Sequence, residues 1–101
     1  MENADRIACM DAILNGHMDV LERLAPLLDY LEAHRAEFEA LEAYYGSEEQ
    51  HRDLDTLEAG RLPPELPHAV LGEDLLWNLL GDYAQLGQRL KRLGNCMCPE
   101  N

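Results

Sequence analysis

Leu41-Glu42-Ala43-Tyr44-Tyr45-Gly46-Ser47-Glu48-Glu49-Gln50 holds the end of one helix and the start of the next. Gly46 suits the left-handed position just past a helix end. Ser47 stands as an N-cap with Gln50 three residues on, the spacing of a capping box, which predicts a short polar helix over Glu48–Ala59. Gly60 stops that helix, and Arg61-Leu62-Pro63-Pro64-Glu65-Leu66-Pro67 follows with three prolines, so it is a connection and not a regular helix. Leu71-Gly72-Glu73-Asp74 closes the middle, with Glu73 and Asp74 expected in the first turn of a final helix, where negative charge is favoured.

Outward from this middle, both flanks read as long helix. On the N-terminal side Ile7, Met10, Leu14, His17, Leu21, Leu24, Leu28 and Leu31 recur at steps of three and four, a four-heptad seam with His17 as its polar member. The spacing predicts a helix over Asn3–Glu32. Asn15-Gly16 and Pro26 interrupt it chemically, and the unbroken heptad favours a continuous helix kinked near Pro26 over a break at Leu24-Ala25. A second short helix, or a continuation after a bend around Ala33–Arg35, carries Phe38 and Leu41 to Gly46. On the C-terminal side Leu76, Leu79, Tyr83, Leu86, Leu90 and Leu93 form a second seam, with Gly94 expected to cap the helix and 95–101 expected as a flexible tail.

The pattern contains no strand, and each seam needs another helix to bury it. The expected architecture is therefore all-α: a single domain over 1–94 in which two long heptad helices form an antiparallel hairpin or small bundle with one or two short helices in the connection. Apolar surface left over by such a hairpin favours self-association, so a protein partner, a homodimer first, is expected.

Charge narrows the function. Twenty acidic against eight basic residues give a net charge of -12 over 101 residues, a field that repels nucleic-acid phosphates and anionic lipid heads. No apolar run approaches the ~20 residues of a membrane span, and Met1–Asp5 lacks the basic and apolar regions of a signal peptide, which together predict a soluble cytoplasmic protein. Cys9, Cys96 and Cys98 are an odd set, so reduced thiols are expected in place of a disulfide framework.

Candidate chemistry is sparse. His51 with Asp53 and Asp55, or Tyr44 and Tyr45 near Glu48 and Glu49, are the available acid–base groupings, and such residues on short polar helices are ordinarily solvated. Cys96-Met97-Cys98 lacks the second ligand pair of a zinc site, and Glu48, Glu49, Asp53 and Asp55 lack the glycine-centred loop of an EF-hand. No metal or other cofactor is expected. His17 in its seam reads first as a histidine hydrogen-bonded to a neighbouring carboxylate or water, with a pH-sensitive register residue as the alternative. Tyr44, Tyr45 and Trp77 are expected to stack and pack the middle against the last helix or, if exposed, to make a recognition patch.

Arg6-Ile7 with Met10, Leu41 to Ser47, Asp53 with Glu58, Gly60-Arg61-Leu62-Pro63, and Val70-Leu71-Gly72-Glu73-Asp74 with Leu79-Leu80 resemble, in order and spacing, a family of small bacterial proteins known as domain of unknown function 4298. The resemblance covers residues 6 to 93. Gly72 stands where that pattern has a serine cap, and Gln50 and His51 stand where it often has a tryptophan. The resemblance implies a helical fold and no reaction. It singles out Tyr44, Tyr45, Gly46, Asp53, Glu58, Gly60, Leu62, Pro63, Glu73 and Asp74 as partner-binding or fold-defining. Three functional readings follow: a non-enzymatic interaction or scaffold module, a small enzyme or metal-dependent site around Tyr44, Tyr45, His51, Asp53, Glu58 and Asp74, and an acidic nucleic-acid mimic. The second requires those side chains to converge on one cleft.

Overall fold

A computed structural model describes residues 2–72 and 74–99, and among them four α-helices and one 3-10 turn account for the regular structure, with no strand. The order is α1 (Glu2–Ala33), α2 (Arg35–Tyr44), α3 (Glu48–Glu58), the 3-10 turn (Ala69–Leu71) and α4 (Leu75–Met97). The all-α class, with two long helices flanking two short ones, is the one the heptads and caps predict. The chain divides into two compact units, Met1–Phe38 and Glu39–Asn101.

The first unit is α1 and the opening turn of α2. α1 is continuous through both Gly16 and Pro26. A Cβ at Gly16 would meet nothing within 4 Å, so the glycine is a propensity weakness and not a packing requirement. Pro26 lacks an amide, so the Glu22 carbonyl loses its intrahelical donor, a local cost that the helix bridges. Exposed i,i+4 pairs, Arg23–Asp19 at 3.1 Å and Asn15–Asp11 at 3.2 Å, add a few tenths of a kcal/mol each at most. Of its seam, Ile7, Met10, Leu14, His17 and Leu21 are exposed, Leu24 is 37% exposed, and Leu28 and Leu31 are half-buried. At its end Tyr30 stacks on His34 with ring centroids 3.9 Å apart, and Arg35 lies 5.7 Å from the Phe38 ring.

The second unit is organised by caps. Gly46 is left-handed with φ 79°, which ends α2 without the penalty a Cβ carries there. The Gln50 amide donates to Ser47 Oγ at 3.1 Å, while Gln50 Oε1 accepts from the Gly46 amide at 2.7 Å, one residue earlier than a standard capping box. Ser47 Oγ also donates to the Tyr44 carbonyl at 2.7 Å, so one hydroxyl ties the end of α2 to the start of α3. Gly60, with φ 70°, follows the Ala59 cap and ends α3 as the sequence predicts.

Three expectations are corrected in and around α4. The helix does not stop at Gly94: it runs to Met97, with the Cys98 amide still donating to the Gly94 carbonyl at 2.8 Å. Glycine ends a helix only when the chain turns left-handed there, and Gly94 stays helical. Asp74 is not in the first turn but precedes it as a left-handed cap residue with φ 71° and ψ -11°, its carbonyl accepting from Asn78 at 2.8 Å. Gly72 does not stand at the cap of α4. It closes the 3-10 turn, donating to the Ala69 carbonyl at 2.9 Å, and a Cβ on it would come within 3.0 Å of that same oxygen. Glu73 lies outside the described residues. Leu76, 5% exposed, is buried where the start of α4 meets the 3-10 turn, and Leu80 and Tyr83 follow it half-buried. Leu79, Leu86 and Leu90 are 37–41% exposed and Leu93 is 55% exposed.

Candidate functional site

The α2–α3 corner, the 3-10 turn and the start of α4 enclose a cleft of about 680 Å³. The corner brings Tyr45 to its wall, α3 brings His51 and Glu58 from one face two turns apart, and α4 brings Asp74 and Trp77. Leu54 and Leu76 supply apolar floor. Tyr45 and Trp77 meet with ring centroids 5.8 Å apart and planes tilted by 33°. The middle meets the last helix through this pair, but Tyr45 is 42% and Trp77 59% exposed, so the contact is an open aromatic patch and not core, and it involves one of the two adjacent tyrosines.

The other tyrosine goes elsewhere. Tyr44 donates its hydroxyl to Asp53 Oδ2 at 2.5 Å across the α2–α3 corner. That hydrogen bond first, then burial and the negative charges of Asp53 and Glu49, push the Tyr44 phenol up to about 12 from its ordinary 10.0. The protonated hydroxyl is the form that donates, so the pair staples the end of α2 to α3. His51 Nδ1 lies 2.9 Å from the Ser47 carbonyl. A carbonyl only accepts, so Nδ1 carries the proton and a neutral ring leaves Nε2 as an acceptor.

Of the six residues that an enzyme or metal-dependent site required in one place, Tyr45, His51, Glu58 and Asp74 share the cleft, while Tyr44 and Asp53 are bound to each other. Gly46 belongs to the wall, whereas Gly60, half-buried Leu62 and Pro63 form the connection outside it. Sequence reading did not attach Gln50, Val70 and Leu71 to the cleft. Gln50 was visible as a cap and as a departure from the family pattern, and Val70-Leu71 as part of the family-like run into Gly72, but neither reading placed them beside α4. Among the described residues, no three His, Cys, Asp or Glu side chains come together in metal-binding array, and Cys9, Cys96 and Cys98 are free and exposed. No described helix is long and apolar enough to cross a membrane.

Residues 7–92, which include every wall of the cleft, match the family described as Domain of unknown function (DUF4298). The chain belongs to that family. A search of the curated proteins and one of the solved structures returned no match. Membership in the DUF4298 family carries no reaction with it. The Tyr44-Tyr45-Gly46-Ser47 segment that suggested the family does two separate jobs: Tyr44, Gly46 and Ser47 fasten α2 to α3, and Tyr45 faces the cleft.

Proposed function

We propose that the chain is a non-enzymatic helical interaction module whose first partner is a second copy of itself. The observation that carries this reading is the α1 seam, on which Ile7, Met10, Leu14 and Leu21 are each at least 55% exposed at heptad spacing. A stripe of that length on a helix is stabilised by burial against another helix, at roughly 25 cal/mol per Å² of apolar surface covered. Charge supports a helix of this chain as the cover. α1 carries seven acidic and two basic residues, whereas α4 carries Asp82 against Arg89, Lys91 and Arg92. An α1 seam therefore meets an α4 surface of opposite sign more favourably than another α1. The engagement of Tyr44 with Asp53 also removes two of the groups an acid–base site would use.

Sedimentation equilibrium at micromolar concentration tests the reading. The chain is expected to sediment as a dimer, and the double variant Leu14→Glu/Leu21→Glu as a helical monomer. A monomeric parent chain overturns the self-association.

A further inference from the structure

The cleft has properties that a helix seam does not need. Glu58 and Asp74 bring two carboxylates to its walls and no lysine or arginine is there to meet them. Among the described residues neither side chain has an ion-pair or hydrogen-bond partner. Asp74 is notable because a carboxylate at a cap position ordinarily accepts an amide of its own helix, and here it makes no such bond while its backbone is left-handed. Beside them His51 lines the wall with its Nδ1 held by the Ser47 carbonyl. Trp77 and Tyr45 remain 59% and 42% exposed although they touch one another, which leaves aromatic surface open.

These walls complement one kind of group. Unpaired acceptors and net negative charge exclude an anion, and open aromatic faces favour a cation that can lie flat against them. An ammonium is compact and strongly hydrated; a guanidinium is planar, weakly hydrated and presents paired N–H donors that match a carboxylate. The cleft's volume, about 680 Å³, lies within the range of ligand pockets and exceeds the needs of a lone ion.

We infer that the corner cleft is a guanidinium site, in which an arginine side chain or a free guanidino compound lies against Trp77 and Tyr45 and donates to Glu58 and Asp74. This does not depend on self-association, because every wall belongs to the unit Glu39–Asn101.

Trp77 is the sole tryptophan, so its emission reports the cleft directly. Full-length chain is titrated with N-acetyl-arginine amide, with a blocked glycine peptide bearing one central arginine, and with the same peptide bearing lysine, each followed by fluorescence and by calorimetry. Saturable binding of both arginine ligands is expected, with the lysine peptide weaker by about tenfold. Tighter binding of the arginine peptide than of the amide identifies a polypeptide source; equal binding identifies a free guanidino compound. Glu58→Gln with Asp74→Asn is expected to weaken binding by about tenfold or more. Should that pair lose helix, Glu58→Gln alone, exposed at the end of α3, gives the same reading with a smaller loss. Absence of saturable calorimetric binding, equal affinity for lysine, or undiminished affinity in the folded carboxamide variants overturns the site.

Discussion

Tyr44 shows how one side chain can be conspicuous in a sequence for a reason other than chemistry. Its hydroxyl spans from the end of α2 to Asp53 on α3, and its raised pKa means that folding favours the protonated phenol. The stability this pair adds is fully present below the ordinary value of 10.0 and is lost as pH rises through about 12. Tyr44→Phe should therefore lower stability by about 1 kcal/mol at neutral pH, and the gap to the parent chain should close in urea melts taken between those two values. Spectrophotometric titration should find one of the four tyrosines ionising late. Gly46 makes a second prediction at this scale. With φ 79°, Gly46→Ala should cost about 1 kcal/mol, whereas Gly16→Ala, helical and unobstructed, should add about 0.5–1 kcal/mol in thermal melts. Neither sign is visible from glycine content alone; local sequence distinguishes them, because Gly46 precedes a cap and Gly16 interrupts a seam.

Elements bounded by caps were legible, and elements bounded by backbone choice were not. Ser47 and Gln50 announce α3 because their side chains satisfy the orphan amides that any helix start exposes. Ser47→Ala removes the acceptor for the Gln50 amide and the donor to the Tyr44 carbonyl together, so it should cost about 1–2 kcal/mol, readable as a lower denaturation midpoint with unchanged slope. The opposite end of the chain misleads. Gly94 looks like a terminator, yet α4 continues to Met97, because glycine permits a left-handed turn without imposing one. Asp74 misleads for the complementary reason: an acidic residue near a helix start fits the first turn, and only φ reveals that it lies before it in a conformation costing on the order of 1 kcal/mol. Cleft membership was equally hidden. His51 and Glu58 are seven apart on one face of α3, which the sequence displays, but their meeting with Trp77 depends on the path of the 61–68 connection, which no periodicity encodes.

At the scale of the molecule, charge and apolar surface oppose one another. A net charge of -12 makes every approach of two copies costly in dilute buffer, while the exposed seams reward it. Screening relieves this net repulsion more than it weakens the opposite charges of α1 and α4, so raising salt from low to physiological should strengthen self-association, seen as a rising weight-average mass in sedimentation; a fall would show that the α1–α4 charge match outweighs the net repulsion. The division into two units has a practical corollary. The boundary between Phe38 and Glu39 falls inside α2. A gene truncated at that boundary would leave the opening turn of α2 on one fragment and the rest on the other, with unsatisfied terminal amides and carbonyls. Nicking should instead concentrate where backbone is irregular and exposed, and limited trypsin digestion should cut first after Arg61, leaving α1, α2 and α3 together on one piece and α4 on the other.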